Sequence, residues 1–103
     1  MVDVSGMTYV RLKVNKLGTA GPGGSKLILR YSPTFSTSEN SYTDIGTSEV
    51  SVDINATNTF LDSGWVEVDP SALASEDIYL AVIGNGGNGV TDPAFGNISV
   101  SFA

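Results

Sequence analysis

Trp65 is the side chain in this 103-residue sequence best shaped to grip a ligand. With Val66 and Val68 facing a core, it shares the outer face of its strand with Glu67, where an indole can stack on a sugar ring; Tyr9, Tyr42 and Tyr79 would extend such a platform. The competing placement follows from Gly64, which at the start of the strand lets Trp65 turn inward and fill the core, and this is the placement expected. Glu67 with Asp69, or Glu76 with Asp77, could be imagined as a glycosidase acid pair, and residues two apart on a strand do share a face, but nothing in the pattern puts either pair in a cleft. With no histidine in the chain, a serine nucleophile would depend on a lysine as its base. The expectation is a protein that is not an enzyme.

The glycine-rich run Gly84-Asn85-Gly86-Gly87-Asn88-Gly89 matches the dinucleotide fingerprint in letters and follows an apolar segment. The chemistry of that motif needs a helix immediately afterwards to hold the pyrophosphate, and Pro93 and Gly96 interrupt the segment that follows. Calcium could be held more simply by Asp92, Asn85 or Asn88 with loop carbonyls, but asparagine and glycine together are first of all a turn composition, so no metal and no cofactor are expected. Gly21-Pro22-Gly23-Gly24-Ser25-Lys26 lacks the order of a phosphate loop and reads as a hairpin connection.

Absence of cysteine removes disulfides and thiolate metal sites, and no apolar run is long enough for a membrane-spanning helix. The net charge of −6 argues against nucleic acid as a partner. All five basic residues, Arg11, Lys13, Lys16, Lys26 and Arg30, fall in the first thirty positions with only Asp3 to oppose them, whereas the ten other acids follow. Two uses of this segregation stand open: attraction between copies of the chain, or ion pairs across strands within one molecule.

The elements that must position these groups are strands. Residues 8–16 alternate, with Val10, Leu12 and Val14 on one face and Tyr9, Arg11, Lys13 and Asn15 on the other. In 26–32, Leu27, Leu29 and Tyr31 face inward, while Ile28 and Arg30 look outward on the same sheet face as Arg11 and Lys13. Shorter strands are expected at 42–45, 49–54 and 64–68, with 55–63 a turn-rich connection and 33–41 a polar loop anchored by Phe35. Asp69-Pro70-Ser71-Ala72-Leu73-Ala74-Ser75 offers a cap and a proline for one helical turn. Segment 77–84 is apolar on both faces, which predicts a central strand whose second face, carrying Tyr79 and Ile83, meets another subunit; 97–102 alternates and ends the chain. Roughly seven to eight short strands predict one antiparallel β-sandwich, jelly-roll or immunoglobulin-like, spanning residues 1–103.

The opening Asp3-Val4-Ser5-Gly6-Met7, the Ser63-Gly64-Trp65 strand, the acidic entry into 78–84 and the ending from Gly86 to Ile98 resemble small β-sandwich domains of bacteriophage virion proteins. Such domains decorate capsids or form fibre and tail modules. The resemblance implies a non-enzymatic structural role in the virion, with no cofactor and with partners in other virion proteins and in further copies of itself. The expected interface is Tyr79, Ile83 and Ile28 with the cations Arg11, Lys13 and Arg30. The alternative is a carbohydrate-binding module or cell-surface adhesin domain in which Trp65 meets a host-surface glycan. Neither reading involves nucleic acid or membrane insertion.

Overall fold

The computed structural model describes residues 1–17, 26–54, 60–85 and 94–103, with backbone alone at 16, 17, 85, 94 and 95. Among the described residues nine strands form two antiparallel sheets that pack face to face, as an all-β sandwich requires. In the first sheet β1 (Val2–Asp3) pairs with β8 (Asp77–Asn85), and β8 with β3 (Lys26–Ser32). The far edge of β3 carries β4 (Thr43–Asp44) and β5 (Ser51–Asp53). In the second sheet β2 (Tyr9–Leu17) is central. It takes β9 (Ala94–Phe102) along one edge and both β6 (Phe60–Asp62) and β7 (Val66–Glu67) along the other.

Alternation builds the core as the sequence predicts. Val10, Leu12 and Val14 of β2 face Leu27, Leu29 and Tyr31 of β3, and all six are buried together with Val50, Val52, Leu61 and Ile78. The helix α1 (Pro70–Ala74) also stands where it is expected: Asp69 caps it by accepting a hydrogen bond from Ser71 N at 2.8 Å, and Pro70 supplies the first helical position. Gly46 bridges to Val68 between the sheets, and a Cβ there would lie 2.5 Å from Ser48 O and 2.7 Å from Val66 Cγ1. The approach is possible only without a side chain.

Several expectations are corrected. Strands β2 and β3 belong to different sheets and so do not pair as a hairpin; the connection between them, 18–25, lies outside the described residues. For the same reason Arg30 does not share a face with Arg11 and Lys13. β8 is not central along its length, because β1 pairs only at Asp77 and Ile78, and from Tyr79 onward its second edge has no strand among the described residues. β1 and β6 are additional; β6 lies within the stretch expected to be a connection, where three residues are too few to display alternation. Phe35 is 70% exposed, and the 33–41 loop is tied instead by the buried Tyr42, whose hydroxyl donates to Ser36 O at 2.9 Å.

Candidate binding surfaces

The second sheet presents a polar outer face studded with aromatics. Along β2 it carries Tyr9, Arg11, Lys13 and Asn15, flanked by Glu67, Asp62 and Phe60 on one side and Ser101, Ser99 and Asn97 on the other. A local irregularity brings Trp65 to this face. Between the pairs Lys13↔Asp62 and Val10↔Val66, β2 has two residues, Arg11 and Leu12, whereas the neighbouring chain has three, Ser63, Gly64 and Trp65. The extra residue is a bulge, with Gly64 at φ +73 and the Ser63 hydroxyl accepting from Leu12 N at 2.9 Å. Without it, strict alternation from the inward Leu61 would aim Trp65 at the core. With it, Trp65 faces out at 47% exposure, which overturns the expected inward placement.

Arg11 lies over the indole, its guanidinium carbon 5.5 Å from the ring centroid. Asp62 fixes that arrangement: Arg11 Nε donates to its Oδ1 at 2.8 Å and Arg11 Nη2 to its Oδ2. The Arg11 hydrogen bonds, joined by one from Gly64 N, hold the Asp62 carboxyl at about 2, well below its ordinary 3.8. Arg11 is correspondingly raised by Asp62. Beside this cluster an open depression of about 230 Å³ is lined by Lys13, Asn15, Phe60, Asn97 and Ser99. Phe60 is 79% exposed at its rim. An aromatic wall beside amides, a hydroxyl and an ammonium group is chemistry that suits a polyhydroxylated ligand. Of the tyrosines expected to extend the Trp65 platform, only Tyr9 does so; Tyr42 is buried and Tyr79 stands on the other sheet.

The first sheet presents a different surface. Ile28 lies directly opposite Ile83, Arg30 opposite Ala81, and Ser32 opposite Tyr79, so Tyr79, Ile83, Ile28 and Arg30 meet on one sheet face, but Ile28 is only 1% exposed, which overturns its expected place as an interface residue. Phe35 packs edge-on against Tyr79 at 5.7 Å between ring centroids. Arg30 pairs with Asp44 at 3.3 Å and Lys26 with Glu49 at 3.1 Å, and Glu49, held by Ser51 and Lys26, is lowered from its ordinary range. Arg11, Lys26 and Arg30 each form an ion pair within the molecule, one of the two uses open to the segregated charges. Arg11 and Lys13, expected at the same interface as Tyr79, lie on the opposite side of the sandwich.

Neither of the acid pairs weighed from the sequence converges on a site. Glu67 is exposed opposite Tyr9, while Asp69 is engaged as the α1 cap; Glu76 occupies a turn at φ +61 and Asp77 pairs with Asp3 on β1. Asn88 and Asp92, with the Asn85 side chain, lie outside the described residues. No group of three or more metal-ligating side chains occurs among the described residues, and none of their helices is long and apolar enough to cross a membrane. Phe60 is the candidate that sequence reasoning missed; a lone aromatic after the 55–59 stretch carries no period to announce it. Comparison with family models, curated proteins and solved structures gave no match to this chain.

Proposed function

We propose that this chain is a non-catalytic structural domain of a bacteriophage virion, a capsid-decorating, fibre or tail module that acts by protein–protein assembly. The observation that supports it is the outer face of the first sheet, where Ile83, Ala81 and Tyr79 point away from the core and continue into the exposed Phe35. A strand apolar on both faces has a second surface to cover, and paired charges at its rim give such a contact a polar border. The test is mass spectrometry of purified particles from cells carrying the gene, alongside an Ile83→Glu variant. The chain is expected in the particles at stoichiometric level, and the variant is expected to be depleted from them while remaining folded. A chain confined to the cell lysate sinks the proposal.

The second sheet supports a second reading, adhesion to a host-surface glycan, because Trp65 is turned outward beside Arg11 and near the Phe60 depression. Trp65 is the sole tryptophan, so its emission reports the site directly. Titration with soluble bacterial polysaccharides is expected to shift that emission, and Phe60→Ala to weaken the response by roughly 5- to 30-fold, the equivalent of about 1–2 kcal/mol of lost stacking. An emission indifferent to every glycan tested removes this reading and leaves the assembly reading intact.

A further inference from the structure

β9 leaves one whole edge of the second sheet without a strand among the described residues. Which of its backbone groups face that edge follows from its pairing with β2. Tyr9 N donates to Ala103 O at 2.8 Å and Ala103 N donates to Tyr9 O at 2.9 Å, so residue 103 points its polar groups at β2. In an antiparallel ladder the direction alternates, which turns Ser101 and Ser99 toward β2, and Phe102, Val100 and Ile98 toward the open edge. The opposite edge of β2 agrees: Leu12, out of phase with Tyr9, exchanges bonds with Ser63 instead.

Free edges in solitary β-proteins are commonly guarded by lysine, proline or an inward-pointing charge. Residues 94–103 contain none of these. The side chains of this strand that face the sandwich interior are also incompletely covered: Ile98 is 46% exposed, and Val100 and Phe102 are only partly buried. Leu80 and Val82, on the β8 side of the interior, are likewise partly buried, so among the described residues the sandwich is incompletely closed along this flank.

We propose that two copies of this chain pair through β9, antiparallel and about a two-fold axis at Val100, merging their second sheets into one continuous sheet. The strand is self-complementary in that register. Val100 meets Val100 of the second copy, and Ile98 meets Phe102, so three outward-facing residues on each side exchange about six backbone hydrogen bonds. Aromatic against β-branched is a favourable cross-strand pair. On the outer face Ser99 meets Ser101, and although each chain carries −6 overall, no charge opposes another along the seam. Other registers do less: moving the axis to Ile98 brings in Gly96, at the register shift opposite Asn15 and Lys16. The two outer faces carrying Trp65 would then lie side by side on one surface. This pairing uses an edge and not a sheet face, so it stands or falls independently of what those faces bind.

The test is light scattering of the full chain from micromolar to millimolar concentration. The expected mass is twice the 10.7 kDa of the chain. Val100→Pro removes an amide that faces away from β2, leaving the internal ladder whole, and is expected to raise the dimer dissociation constant by roughly 10- to 100-fold. Ile98→Lys places a guarding charge on the exposed side chain and is expected to yield monomer with an unchanged far-ultraviolet spectrum. Should Val100→Pro fail to fold, Ile98→Lys still decides, and amide exchange at Ile98, Val100 and Phe102 is expected to be slow in the wild type and fast in that variant. A wild-type monomer at millimolar concentration overturns the proposal. So does a trimer or larger assembly, or a dimer that Ile98→Lys leaves intact.

Discussion

Replacing Asp62 with asparagine tests the arrangement that holds Arg11 over Trp65. The substitution keeps an oxygen that can accept from Gly64 N at the present 2.8 Å and from Arg11 Nε, and removes the charge together with the oxygen that accepts from Arg11 Nη2. A fall of the carboxyl from 3.8 to about 2 corresponds to about 2.5 kcal/mol for a shielded group. The Asp62 side chain is 39% exposed, so solvent screening reduces the effect to about 1 kcal/mol. Because the native pKa is depressed, the contribution is complete above the unfolded value near 3.8 and disappears as pH falls toward 2. Asp62→Asn is therefore expected to lower stability by about 1 kcal/mol at pH 7, or roughly 4–8 °C in Tm, and by much less at pH 2. Urea unfolding followed by Trp65 emission measures both, and molar salt is expected to shrink the pH 7 difference. Equal stability of the two proteins at pH 7, or an equal loss at pH 7 and pH 2, would refute the assignment of the charge pair.

Three further substitutions probe the frame. Gly46→Ala forces a Cβ to within 2.5 Å of Ser48 O and 2.9 Å of Val50 Cγ2, and is expected to cost about 1–3 kcal/mol in urea unfolding; a neutral result would show that the sheets can separate there. Glu76 sits just beyond the C-cap of α1 at φ +61, where glycine is the natural occupant, so Glu76→Gly is expected to stabilise by about 0.5–1 kcal/mol and to raise Tm. Tyr42→Phe deletes the hydrogen bond to Ser36 O and is expected to cost about 1 kcal/mol, with faster amide exchange confined to 33–41; global loss of protection would contradict a local tether.

The alternation of Val10, Leu12 and Val14, and of Leu27, Leu29 and Tyr31, determined from sequence alone that the chain is a β-sandwich and that these six side chains lie in its core, but not that Ile28 between them is buried as well. A period of two leaves few other ways to bury such residues. Asp69-Pro70 likewise announced α1, because capping and a fixed φ are local chemistry. Alternation says which residues share a face of one strand, and nothing about which strands share a sheet. That choice rests on pairing between distant segments, and it put Arg30 opposite Asp44 in one sheet and Arg11 beside Asp62 in the other. It also sent β8 and β9 apart, exposing the edge at Ile98, Val100 and Phe102. Trp65 was decided at the smallest scale. One residue inserted against Arg11 and Leu12 reverses the phase of its strand, and only the pairing of both strands shows the insertion, so the indole stands in solvent where the sequence alone favoured the core.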